Sequence, residues 1–99
     1  MQAWYAAQFE REMGCTETEL LRWLPGAVVP HTFELSGQAA TVFMGAGRLA
    51  LRWSVMAARQ IALLRMPRLA VSFSFEGVDE PSRQTFMRHF DLYTQRGGG

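Results

Sequence analysis

One cysteine and two histidines are the side chains here best able to act as nucleophile or proton carrier near neutral pH. Cys15 stands immediately before Thr16, where a helix is expected to begin, and a helix N-terminus lowers a thiol pKa. Glu17 and Glu19 lie close by and push it back up. His31 and His89 have no motif around them, so the simpler expectation for Cys15 is a small buried hydrophobe. No pair of His, Cys, Asp or Glu has the spacing of a metal site, and neither metal nor cofactor is expected. Glu76, Asp79 and Glu80 cluster where a strand gives way to a helix, a placement that suits the helix macrodipole. Gly45-Ala46-Gly47 joins two strand patterns and reads as a turn, not a phosphate-binding loop. All ten cations are Arg, which closes Schiff-base and general-base lysine chemistry and fits a GC-rich, hence bacterial, coding genome. The expectation is a protein that is not an enzyme.

The elements that must position these groups belong to one domain, since 99 residues leave no room for two at ~100–200 residues each. With 48% apolar and 19% charged residues the composition is globular. A single cysteine excludes an intrachain disulfide. No apolar run approaches the ~18 residues of a membrane span, and the N-terminus lacks a basic region followed by a long apolar stretch. A cytoplasmic protein without membrane association is therefore expected.

Residues 2–13 read as a helix, with Tyr5, Phe9 and Met13 at i, i+4 and i+8 and Gly14 at the left-handed position that ends it. Thr16-Glu17-Thr18-Glu19 is a capping box opening a short second helix through Leu20, Trp23 and Leu24, stopped by Pro25-Gly26. From Pro30 the apolar period becomes two. Phe33 and Leu35, then Val42 and Met44, alternate with polar or small residues. Leu49, Leu51, Trp53 and Val55 alternate with Arg48, Ala50, Arg52 and Ser54. Residues 59–65 read as a further strand turning through Met66-Pro67, and Leu69, Val71, Phe73 and Phe75 form the cleanest strand pattern. Residues 48–66 also satisfy helical spacing, and the unbroken alternation over 48–55 favours strands. Asp79 caps a last helix carrying Phe86, Phe90 and Tyr93 on one stripe, and Gly97 ends it. The expected fold is α+β: an antiparallel meander of four to five strands, an N-terminal helical hairpin, and a long C-terminal helix on one face of the sheet. The domain spans residues 1–96, with a flexible glycine tail at 97–99.

Three constellations follow. The first is a pocket between the last strand and last helix, lined by Trp53, Phe73, Phe75, Phe86 and Phe90, with His89 or Tyr93 as a polar contact at its mouth. In small domains such rings often simply fill the core. The second is an arginine face formed by Arg48, Arg52 and Arg68, which would suit a polyanion. Residues 35–75 carry five Arg and no acid, against net −3 over residues 1–34 and net −1 over 76–99. Pairing of these arginines with Glu34 or Glu76 is the alternative. The third is a partner surface. Seven Phe, three Trp and six Met are many for one small core and suit an oligomer interface. The expected partner is a second copy or another protein, with a small apolar molecule as the alternative and nucleic acid disfavoured.

The element order loosely resembles a shortened helix-grip domain of the START and polyketide-cyclase type, which implies a sheet wrapped on its last helix and carries no site residues. The spacing of Phe9, Met13, Gly14, Leu20 and Trp23 resembles a helix-turn-helix, but Glu17 and Glu19 would repel DNA where recognition needs cations. Arg96-Gly97-Gly98-Gly99 resembles the diglycine tail of ubiquitin-like sulfur carriers, although it follows a helix where those tails follow a strand. Terminal glycines offer nothing to pack. Deleting Gly98 and Gly99 is therefore expected to leave the melting temperature unchanged within error; a fall of several degrees would show a docked tail.

Overall fold

The computed structural model describes residues 4–97. The elements are β1 (Gln8–Met13), α1 (Glu17–Ala27), β2 (Thr32–Leu35), β3 (Ala39–Met44), β4 (Gly47–Ile61), β5 (Leu64–Glu76) and α2 (Glu80–Gln95). The fold is α+β. Its single antiparallel sheet has the order β1-β5-β4-β3-β2, a meander whose last strand is joined at the outer edge by the first. Both helices cover one face, and α2 lies over Phe73 and Phe75.

The expected N-terminal helical hairpin is replaced by a strand and one helix. Tyr5, Phe9 and Met13 also fit a period of two, and Gln8, Glu10 and Glu12 occupy the exposed alternate positions. The misfit is Arg11, which falls on the core face between Phe9 and Met13. Its guanidinium lies over the Phe9 and Phe73 rings and bonds Asp91 of α2 at 2.6 Å. That partner is 80 residues away, so only the folded chain makes an arginine acceptable there. Gln2 and Ala3 of the expected helix lie outside the described residues, and Gly14 does not adopt the left-handed conformation proposed for it.

The capping box forms as expected: Glu19 N–H donates to Thr16 Oγ1 and Thr16 N–H to Glu19 Oε1. Pro25 does not stop α1, which continues to Ala27, where the Val28 amide still bonds the Leu24 carbonyl. Residues 48–66 are strand, but the turn is displaced. β4 and β5 form one long hairpin turning at Ala62-Leu63, because Ile61 pairs with Leu64. Pro67 does not end a strand, since a bulge absorbs it: the register shifts between Met56 and Arg59, and Arg68 Nε donates to the Ala57 carbonyl at 2.9 Å. Ala62 takes φ 54 at the tip, a conformation that favours glycine.

The core comprises Leu49, Leu51 and Trp53 of β4, Leu69, Val71, Phe73 and Phe75 of β5, and Ala40, Val42 and Met44 of β3, sealed by Leu20, Leu24, Phe86, Met87 and Phe90. Gln84 fastens the N-terminal segment to α2. Its amide donates to the Tyr5 carbonyl and accepts from the Tyr5 N–H, and Arg83 Nε adds a bond to the same carbonyl. Gly47, at the start of β4, passes against the Gly77 backbone so closely that a Cβ would overlap the Gly77 carbonyl. Phe90→Ala is expected to cost about 3–5 kcal/mol in chemical denaturation. Gly47→Ala should lower the melting temperature by several degrees, while Gly14→Ala, whose Cβ would meet open space, should barely change it.

Candidate functional site

The five rings expected to line a pocket are all buried. Phe73 meets Phe90 edge-on at 5.4 Å, Phe75 meets Phe86 edge-on at 5.9 Å, and Phe86 stacks on Phe90 at 6.0 Å. Phe9, unforeseen in this cluster, stacks on Phe73 at 4.6 Å. These rings fill the space between sheet and α2 with each other. Trp53 stands apart, beneath the start of α1, where its indole N–H donates to Glu17 Oε2 at 2.7 Å. His89 Nε2 donates to the Gly26 carbonyl at 2.9 Å and so ties α2 to the end of α1. Tyr93 packs against Gly26, whose missing side chain admits the ring.

A cleft does exist, at the N-terminal end of α2. It is open to solvent, has a volume of about 560 Å³, and shares only Phe86 with the expected lining. Val29, Pro30, Met44, Val78 and Pro81 supply its other apolar walls, and His31, Asp79, Ser82 and Thr85 its polar groups. The His31 ring lies 5.9 Å from that of Phe86. The Asp79 carboxylate caps α2 by accepting from the Ser82 amide at 2.9 Å, and hydrogen bonding by the Ser82 side chain, then by that amide, holds its pKa below the usual value. Sequence spacing pointed away from this cleft because its walls come from three separate connections, α1–β2, β3–β4 and β5–α2, together with the end of β3 and the first turns of α2.

The three arginines share the uncovered face of the sheet, and two are engaged. Arg68 bonds Glu12 at 2.7 Å, and Arg48 reaches Glu76 at 3.4 Å. Arg52 has no partner among the described residues. Between them lie small residues: Ala50, Ser72, Ser74 and Ala70.

The largest departure from an ordinary surface is the distal half of the β4–β5 hairpin. β3 stops pairing with β4 at Arg52, and β1 stops pairing with β5 at Leu69. Beyond them the two strands continue as an arm whose edges pair with no other strand among the described residues. Val55, Ile61, Leu63, Leu64 and Met66 are exposed along it, Leu63 almost completely at 98%. The arm's charges are Arg59, Arg65 and Arg68. Arg59 and Arg68 share Glu12 at its base, and Arg65 has no partner among the described residues.

No group of His, Cys, Asp or Glu among the described residues is arranged to hold a metal ion. Among those residues no helix is long and apolar enough to cross a membrane. No protein-family model matches the chain, and neither a curated protein nor a solved structure shows significant similarity to it. Cys15 is buried, and burial followed by the nearby Glu19 charge pushes its thiol up to about 11. Folded protein should therefore resist alkylation at pH 8 and react once unfolded. Because the native thiol releases its proton later than the unfolded one, stability should fall as pH rises from about 9 to 11. Cys15→Ser should flatten that fall in urea titrations across this range.

Proposed function

We propose that the protein is a non-enzymatic, cytoplasmic interaction domain that self-associates, and that the β4–β5 arm is its binding element. The observation that carries this reading is the run of exposed Ile61, Leu63, Leu64 and Met66 on a two-stranded ribbon whose edges pair with no other strand among the described residues. An isolated two-stranded ribbon is at best marginally stable in water, and exposed apolar strands with open edges invite pairing with another chain. Docking against a second surface would order the arm and bury side chains that the helices cannot reach. The placement of Cys15 and of His89 supports a non-catalytic reading. Cys15 is buried with a raised pKa, and His89 is committed to the Gly26 carbonyl. Pairing of Arg48 and Arg68 with carboxylates supports a protein partner over a polyanion.

Light scattering coupled to size exclusion tests this. The wild-type chain is expected to gain mass with concentration below about 1 mM, within the range of weak protein–protein contacts. Leu63→Ser with Leu64→Ser should remain monomeric with an unchanged melting temperature, because neither side chain contributes to the core. A wild-type chain that stays monomeric throughout would overturn the reading.

A further inference from the structure

The arm and the cleft lie at opposite ends of the same hairpin. The cleft is lined by Gly45, beside the start of β4, and by Gly77 and Val78, just past the end of β5. The arm tip at Ala62-Leu63 is 17 residues from Gly45 along β4 and 14 from Gly77 along β5. At roughly 3.3 Å per residue this spans the long dimension of the molecule, which measures 46 Å. One end is therefore an apolar projection and the other an apolar recess. Their charges are opposite. On the projection Arg59 and Arg68 share Glu12 at its base, and Arg65 has no partner among the described residues. At the recess end Glu76 is paired with Arg48, and the ionised Asp79 lines the cleft with Glu80 next to it in sequence.

Resting on the self-association reading above, we infer that the cleft at the N-terminal end of α2 receives the arm tip of a second copy of this chain, in a head-to-tail contact. Leu63 and Leu64 enter between Val29, Val78 and Phe86, and Arg65 faces the acids at the rim. The arm of one copy cannot reach its own cleft, because the length of the paired hairpin separates them. The contact is heterologous: each copy offers an arm at one end and a free cleft at the other. Such contacts close into rings or extend as filaments, whereas symmetric arm-to-arm pairing would stop at a dimer. Like charges also disfavour the symmetric alternative, since it would bring the arginines of two arms together.

Complementation distinguishes these outcomes. The arm variant carries Leu63→Ser and Leu64→Ser. The cleft variant carries Val29→Arg and Thr85→Arg, both at exposed positions, so folding should be retained and is checked by circular dichroism and melting temperature. If the double cleft variant does not fold, Val29→Arg alone replaces it. Each variant alone is expected to be monomeric by light scattering. Their equimolar mixture should give one-to-one dimers, because only the intact arm of one and the intact cleft of the other can meet. Wild type should grow past the dimer, and moving from about 50 to 500 mM salt should weaken the contact at least several-fold. A cleft variant that associates like wild type, while the arm variant does not, would overturn the head-to-tail contact and leave self-association through the arm standing. A mixture that stays monomeric would also overturn it. So would a small apolar molecule retained in the cleft by native mass spectrometry while both variants associate normally. A monomeric wild type would remove the self-association reading and, with it, this one.

Discussion

Two helices can cover only one face, and only part of the length, of a sheet whose central strands run 15 and 13 residues. That mismatch organises the molecule. Where α1 and α2 lie, the covered face of β3, β4 and β5 is uniformly apolar and buried. The opposite face of the same strands carries mostly Arg, Ser, Ala and Thr, with Phe43 and Glu76 beside Arg48, as suits an antiparallel sheet with one wet side. Where the helices run out, the hairpin continues without cover. Val55 lies in the same alternation as the buried Trp53 and is nevertheless 65% exposed. The exposed apolar arm is thus a consequence of strand length set against helix coverage.

Within the covered region α2 joins the two ends of the chain. Asp91 accepts the Arg11 guanidinium and the Tyr5 hydroxyl, and Gln84 and Arg83 hold the Tyr5 backbone. Burial, reinforced by the Asp91 carboxylate, pushes the Tyr5 hydroxyl above its ordinary pKa and keeps it a donor. Together these contacts let a strand containing an arginine on its inner face close the edge of the sheet. Replacing one partner alone would leave the other charged and half-buried, which costs more than the pair contributes net.

The same packing occupies several of the chemistry-bearing residues. Cys15 is enclosed, His89 links the helices, and the phenylalanines are spent on one another. What remains open is a cleft at one end of the hairpin and an apolar arm at the other. Both features suit recognition.

Local signals determined much of the fold: alternation gave the central strands and the face carrying Phe73 and Phe75, and capping residues with a helical stripe gave the Thr16 and Asp79 caps and hence the α+β class, because these depend on neighbours within a few residues. Periodicity could not decide residues 5–13, where Tyr5, Phe9 and Met13 satisfy both periods and Arg11 looks out of place until Asp91 is brought beside it. It could not locate the hairpin tip, because Pro67 reads as a turn residue until the bulge at Ala57 and Ala58 accommodates it. Nor could it foresee the cleft, whose walls come from three connections together with the end of β3 and the first turns of α2. In each case the deciding contact lies far away in sequence, so only the tertiary structure, by bringing those groups together, chose among local conformations of similar energy.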